Sequence, residues 1–237
     1  MEVRVVAATN KPQTVIYLAM HQDYSAFFVL DRLEKTPSEE KCGDIIVKSL
    51  LNGDRGHYGC LEHVSITLGC KGIPHSVVQQ ATRHRLASFD VQSFRYTSDS
   101  ILNVAKGVSP IDDAFYFRPV GVYLDRKGKR YTYTEDSLQS DREYCLNACY
   151  RYAKDIEEGM SEEHARDFNL PFNYRQHFFM TMNLRSIMHF LDLRYKKDAQ
   201  LEIQILCSLI WPLIQDWTPQ LAAWYGQSRL GKARLAP

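Results

Sequence analysis

The stretch Thr82–Tyr96 places three arginines and a histidine among apolar residues, and this mixture limits how the chain can fold. Its residues Leu86, Phe89 and Phe94 indicate a partly buried segment; a solvated basic loop is the alternative. A buried guanidinium needs anionic or acceptor partners, and the stretch itself supplies one carboxylate, Asp90. Arginine presents a rigid fork of donors that suits phosphate and the edge of a planar base. The stretch therefore predicts a pocket for an anionic, planar ligand.

Size and composition indicate one globular domain over 1–237, with a core of about 13–217 and a loose, basic tail at 226–237. Apolar residues make up 45% and charged residues 24%, as in soluble proteins. The net charge of +1 argues against a nucleic-acid polymer as partner. No apolar run approaches the roughly 20 residues that span a bilayer. The lack of a signal-peptide pattern and of any Cys-x-x-Cys pair predicts reduced thiols in a cytoplasmic protein.

Hydrophobic periodicity predicts a mixture of helices and strands, and the expected fold is α/β (α+β), with helices packed on a mainly antiparallel sheet. Val64–Cys70 alternates with period two, which is typical of a strand with one buried face. Pro74 then starts a helix over 75–83, so that Arg-His-Arg at 83–85 lies at its C-terminal end. Residues 97–120 are rich in Ser, Asn, Gly and Pro and are predicted to be a loop. The other predicted elements are strands at Val3–Ala7 and 176–182, a hairpin of 122–124 with 130–134, and helices at 13–20, 38–52, 135–158, 161–167, 184–194, 199–215 and 217–225.

The predicted helix at 184–194 has a polar face beside its apolar core stripe. Arg185, His189 and Asp192 lie at i, i+4 and i+7 on that face. It is either an exposed polar network or part of the ligand pocket. The predicted arginine donors to the pocket are Arg83, Arg85, Arg95, Arg166, Arg185 and Arg194.

His57 and His63, with Cys60 and Glu62 between them, raise the question of a metal site. Zinc ligands usually show tighter, paired spacings and a fourth ligand, so no metal is predicted. A structural histidine with a hydrogen-bond partner is one alternative, and a ligand contact is another.

Two signatures resemble the flavin-dependent thymidylate synthase family. Arg-His-Arg at 83–85, then seven residues, then Ser-Phe-Arg-Tyr at 93–96, is similar to its first signature. The second match comprises the predicted strand at 176–182, Asn183 and both arginines of the helix that follows. The resemblance extends over about 13–217.

The resemblance implies reductive methylation of dUMP to dTMP at C5 of the uracil. 5,10-Methylenetetrahydrofolate would supply the one-carbon unit and NADPH the reducing equivalents. FAD would carry the electron chemistry, while the protein supplies binding and electrostatics. The resemblance also implies a homotetramer with active sites at subunit interfaces.

Arg194 resembles the residue that faces the uracil, where a fixed positive charge would stabilise an electron-rich ring. It is the predicted catalytic residue. Ser93 and the backbone N–H groups around it would close a nest on the phosphate. The implied substrate contacts are Gln80, Arg83, Gln92, Ser93, Phe94, Arg95, Arg166 and Arg194. The implied flavin contacts are His57, Gly59, Arg83, His84, Arg85, Val91, Asn183, Arg185 and His189.

The chain departs from the family pattern at several positions. Val91 stands where some members carry an acid, His189 where others have Asn, and Asp198 where others have His. One extra residue between Arg166 and Leu170 leaves two registers for Arg166. These departures bear on single contacts more than on the reaction.

Two other classes of function stay open. A non-catalytic nucleotide- or RNA-binding module could use the same arginines, and a metal-dependent hydrolase could use His57 and His63. A nucleophilic Ser88 or Ser93 lacks a His–acid pair at a recognisable spacing.

Overall fold

The described residues, 1–53, 57–125 and 127–232 of a computed structural model, contain six strands and ten α-helices. The strands are β1 Glu2–Ala8, β2 Ser65–Pro74, β3 Ala87–Val91, β4 Gly121–Leu124, β5 Arg130–Tyr133 and β6 Arg175–Asn183. The helices are α1 Pro12–Gln22, α2 Glu39–Ile46, α3 His75–Ala81, α4 Asp99–Ala105, α5 Ile111–Ala114, α6 Glu135–Glu157, α7 Glu162–Asn169, α8 Leu184–Arg194, α9 Leu201–Trp217 and α10 Pro219–Ser228. Short 3₁₀ turns lie at Val29–Lys35, Tyr58–His63 and Phe94–Tyr96, and a π turn at Val47–Leu51 continues α2.

The sheet has the strand order β1-β2-β6-β3, and β4 pairs with β5 as a separate antiparallel hairpin. The predicted α/β fold, with helices packed on a mainly antiparallel sheet, is confirmed. The predicted strands, the hairpin and the long helices are all present, within a few residues of the predicted ends. No helix in the described ranges is both long and apolar enough to cross a membrane.

Contacts along the chain define two compact units, each described by itself. The first comprises Met1, Cys70–Arg83 and Asp90–Phe178, and the second comprises Glu2–Gly69, His84–Phe89 and 179–232. The single domain inferred from length stays a prediction. Of the predicted loose tail at 226–237, α10 already includes 226–228, and residues 233–237 lie outside the described residues.

In the first unit, the predicted loop at 97–120 is wrong, because it contains α4 and α5. Ile101 and Val104 lie three residues apart on α4 and are buried in an apolar cluster around Tyr152. Gly107, at φ 70°, ends α4 with paired bonds from Val108 N to Asn103 O (2.8 Å) and from its own N to Val104 O (3.0 Å). This pair of bonds is a Schellman motif, which requires a residue in the left-handed conformation after the last helical turn. The polar and glycine signals in the sequence therefore mark the ends of short helices.

In the second unit, three helices cap one another through side chains distant in sequence. Glu39 of α2 accepts bonds from Gln13 N (2.7 Å) and Thr14 N (2.8 Å) at the start of α1. The Gln13 amide oxygen in turn accepts from Gln220 N (3.1 Å) at the start of α10. Helix N-termini leave N–H groups without intrahelical partners and favour a negative charge nearby. The capping network therefore joins α1, α2 and α10 through part-buried hydrogen bonds.

Gly43 of α2 faces this network, and we expect Gly43→Ala to destabilise the protein. A methyl group there would lie 2.6 Å from the Gln13 amide oxygen, whose side chain is held by bonds to Gln220 and Glu39. Overpacking costs about 1–3 kcal/mol, whereas the same change in an open helix gains about 1 kcal/mol. Urea unfolding measures the sign. In a Gln13→Ala background the penalty should disappear, and a stabilised single variant would contradict the packing described here.

Candidate functional site

The Arg-His-Arg motif lies just beyond α3 and not inside it. The helix was predicted to reach residue 83, but it ends at Ala81, with Thr82 as its C-cap. The Thr82 hydroxyl donates to Val78 O (3.0 Å) and so closes the last turn. Arg83 and Arg85 are exposed, whereas His84 between them is only 8% exposed.

In the first unit, Ser93 to Arg95 form a short segment anchored at its centre. Phe94 is buried, with ring centroids 5.7 Å from Tyr152 and 5.3 Å from Tyr174. Ser93 is exposed at the start of the 3₁₀ turn and makes no side-chain cap bond there. The Phe94 anchor thus presents Ser93 and Arg95 to solvent from a fixed backbone.

Two of the predicted phosphate donors have carboxylate neighbours on α7. The Arg95 side chain is exposed, and its Nε lies 3.5 Å from the Glu163 carboxylate. Arg166 makes two bonds to Asp167, from Nε (3.0 Å) and Nη2 (2.6 Å). Because ion pairs of solvent-exposed side chains contribute little free energy, a phosphate can replace Glu163 beside the exposed Arg95 at small cost.

Two other predicted substrate residues have bonds within the first unit. The half-buried Gln80 donates its amide to Ser76 O (3.3 Å) on α3. Gln92 is bonded to β6 through its backbone N–H, which donates to His177 O (2.9 Å), and through its side chain. Val91, which was predicted to contact flavin, is half-buried at the end of β3.

In the second unit, the structure brings together three predicted residues, Arg194, His84 and His189. Arg194 Nε donates to His84 Nε2 at 3.1 Å. The His84 ring lies edge-on to His189 at 5.5 Å and to Phe190 at 4.7 Å between centroids. Since arginine is always protonated and has no acceptor, His84 Nε2 must accept, and a neutral His84 ring carries its proton on Nδ1. This bond fixes the plane of the Arg194 guanidinium.

Two further predicted flavin residues help to hold α8 in the second unit. The Asn183 side-chain oxygen accepts from Ser186 N (2.8 Å) and caps the helix. Arg185 Nη1 lies 2.6 Å from the Glu62 carboxylate. No pattern in the sequence indicates this pairing, because Glu62 belongs to the turn that follows His57.

His57 and Gly59 lie beside open space in the second unit. His57 helps to line a cavity of about 350 Å³, together with Met20, His21, Tyr24, Ser25, Ile45, Ser49 and Leu50. A Cβ added to Gly59 would meet no atom of the described residues within 4 Å, so their packing does not require a glycine there. The missing side chain leaves room for a ligand to approach the backbone.

The metal-dependent hydrolase was considered for His57 and His63. Within 1–53, 57–125 and 127–232, no three His, Cys, Asp or Glu residues lie close enough together to hold an ion. Cys60, between the two candidate histidines, directs its thiol at His57 O (3.8 Å). Burial raises the pKa of Cys60 to about 11, so it is a poor thiolate ligand or nucleophile at neutral pH. All six cysteines are buried and free.

The comparisons with known proteins decide the family. A family model described as thymidylate synthase complementing protein matches residues 4–220. A flavin-dependent thymidylate synthase of Haloarcula marismortui is 32% identical over 250 residues, which is all of both chains. The chain belongs to the flavin-dependent thymidylate synthase family. The resemblance seen in the two signatures is thereby confirmed.

Solved structures support the fold of the family. The flavin-dependent thymidylate synthase ThyX from Helicobacter pylori, complexed with FAD and dUMP, aligns with a TM-score of 0.67 and 20% identity. That alignment covers 92% of this chain and 97% of the other. The UMP/dUMP methylase PolB from Streptomyces cacaoi aligns with a TM-score of 0.75 and 22% identity, over 99% and 97% of the two chains. At these identities the likeness extends to the fold alone.

Within this family fold, the predicted residues divide between the two units. The substrate residues except Arg194 lie in the first unit, and Arg194 lies in the second. The flavin residues except Arg83 and Val91 lie in the second. Of the departures from the family pattern, His189 packs against His84, while Asp198 is exposed in the turn between α8 and α9.

Proposed function

We propose that this protein methylates C5 of dUMP reductively, giving dTMP. Family membership and the names of its relatives support the reaction class. The observation that carries the assignment to this chain is the bond from Arg194 Nε to His84 Nε2. It fixes one catalytic cation in a defined plane, as stabilisation of a developing charge requires.

Arg194 acts on the uracil in this proposal. Its Nε donates to His84 Nε2 at 3.1 Å, and this bond sets the plane of the guanidinium. Such a planar fork suits a carbonyl and an adjacent ring nitrogen. Its charge stabilises an electron-rich uracil ring, which makes C5 the better nucleophile. No protein nucleophile is needed.

The phosphate of dUMP binds the first unit in this proposal. Ser93, the backbone around Phe94, Arg95 and Arg166 are its donors, with Gln80 and Arg83 contacting the rest of the nucleotide. The exposed Ser93 hydroxyl and the weak Arg95–Glu163 pair support this assignment. Charge-assisted bonds to phosphate are about twice as strong as neutral ones.

FAD is the proposed resident cofactor, and the donor set suits its phosphates and ring. The space at Gly59 and the His57 cavity support a bound flavin. The residues that would hold it are His57, Gly59, Arg83, His84, Arg85, Val91, Asn183, Arg185 and His189. When bound, FAD supplies hydride chemistry, with NADPH as reductant and methylenetetrahydrofolate as one-carbon donor.

We further propose a cytoplasmic homotetramer with its active sites at subunit interfaces, built from one domain per chain. The family likeness supports this assembly. Gel filtration with light scattering tests it, and a stable monomer that turns over dUMP would contradict it.

The first test of the function is the visible spectrum of the purified protein. We expect a yellow flavoprotein that NADPH bleaches under anaerobic conditions. Tritium from C5-labelled dUMP should be released only when methylenetetrahydrofolate is present.

A non-catalytic nucleotide- or RNA-binding module predicts other results. Such a protein would be colourless, and its affinity would fall with salt in proportion to its phosphate contacts. A colourless protein that cannot be loaded with FAD would overturn the proposed function.

A further inference from the structure

Gln92 is bonded to β6 by a side chain as well as by its backbone. Its N–H donates to His177 O (2.9 Å), an ordinary strand bond. His177 N then donates to the Gln92 side-chain oxygen (3.1 Å), so this amide takes the place of the next backbone carbonyl. Gln176 Nε2 donates to the Gln92 backbone oxygen at 3.1 Å. Gln92 therefore acts mainly as the fixed base of the segment that begins at Ser93.

Gln176 is buried, at 5% exposure, and its other end is bonded as well. His75 Nδ1 lies 2.6 Å from the Gln176 amide oxygen. An amide oxygen only accepts, so His75 carries its proton on Nδ1. A buried amide with both ends satisfied is rigid, since either lost bond would leave a desolvated polar group.

His75 is held in that tautomer by its surroundings. Gln79 Nε2 lies 3.0 Å from His75 Nε2, and the ring stacks on Tyr174 at 4.7 Å between centroids. Burial lowers the pKa of His75, with a smaller contribution from Arg166, which favours the neutral ring. The donors thus run in one direction, from Gln79 through His75 and Gln176 to the Gln92 carbonyl.

We infer that Gln176 is a positioning residue for nucleotide binding, because it holds the Gln92 carbonyl and so orients the Ser93–Arg95 segment toward the phosphate. The inference rests on the proposed function, since it gives that segment a phosphate to bind. Gln176 itself does not touch the substrate. Neither the signatures nor the comparisons point to it, because a buried glutamine in a strand resembles any other inward-facing residue.

The test measures dUMP binding and turnover in the FAD-loaded protein. Gln176→Leu removes both bonds with little change in volume, and Gln176→Glu, when its carboxyl group is ionised, keeps the acceptor for His75 but cannot donate to Gln92. With one or two hydrogen bonds lost, we expect the Kd and KM for dUMP to rise about tenfold or more. At saturating dUMP, kcat and the FAD content should stay within about twofold of the wild type.

Thr181→Val is the matched control. Thr181 lies on the same strand and loses a side-chain bond to Thr67 (2.9 Å), yet it has no bond to Gln92. It should leave the Kd for dUMP unchanged. If Gln176→Leu does not fold, the Kd for dUMP of the isosteric variant Gln176→Glu tests the inference.

Two outcomes would overturn the inference. One is an unchanged Kd for dUMP in the Glu variant. The other is a parallel fall in kcat, FAD content and melting temperature, which would indicate a purely structural role. A wild-type protein that binds no dUMP would instead refute the proposed function and this inference with it.

Discussion

Replacing Arg194 with alanine is expected to lower kcat for dUMP methylation by about 10²-fold or more, with FAD still bound. Removing one preorganised donor from a developing charge costs on this scale. Arg194→Lys should recover only part of the activity, because lysine keeps the charge but not the planar fork bonded to His84. Tritium release from C5-labelled dUMP measures turnover, and the visible spectrum measures FAD.

Arg4→Ala is the control for this prediction. Arg4 is an exposed arginine of β1 in the same unit, and its loss removes one positive charge outside the candidate site. Its kcat should match the wild type. If Arg194→Ala loses FAD together with turnover, Arg194 belongs to the flavin side and its assignment to the uracil is wrong.

The second large effect is expected on stability, at the buried carboxylate of Asp192. Asp192 is 2% exposed and accepts from Tyr225 OH (2.6 Å) and from Arg229 Nη2 (3.2 Å). Burial and the neighbouring carboxylate raise the pKa of Tyr225, so its hydroxyl keeps the proton that it donates. Breaking a buried charged network costs about 3 kcal/mol or more. Urea unfolding of Asp192→Ala should show this loss in the free energy of unfolding.

Two further variants serve as comparisons for Asp192→Ala: Tyr225→Phe removes part of the same network, and Asp112→Ala removes a surface ion pair. Tyr225→Phe removes a single bond to a charged group and should cost about 2 kcal/mol. The double variant Asp192→Ala/Tyr225→Phe should lose less free energy of unfolding than the sum of the two single variants, since both residues belong to one network. Asp112 pairs with Arg142 at 2.7 Å on the surface, and its loss should cost under about 1 kcal/mol. An Asp192→Ala protein as stable as the Asp112 variant would contradict the prediction.

The sequence predicted those elements whose signals are local. The alternation in β2 and the Ser38 cap of α2, which accepts from Lys41 N (3.3 Å), both follow from neighbouring residues. The arginine clusters were predicted to be functional from their residue types and from the family signatures.

The partners of those side chains could not be predicted in the same way. His84 and Arg194 are 110 residues apart, and no period in the sequence pairs them. Asp192 shares a helical face with Arg185 and His189, so one interpretation placed it on an exposed polar face. That interpretation is wrong for Asp192, because Tyr225 and Arg229 of the C-terminal region cover it.

The bonds that Glu39, Gln13 and Gln220 make at the starts of α1 and α10 also bear on how the second unit unfolds. Each of these helices relies on a residue of another to satisfy its first amides. Fraying of one end therefore removes partners from the next, so the three segments open as one cooperative block. A chain shortened before Pro219 would weaken the amino-terminal helices too, although more than 170 positions separate them along the sequence.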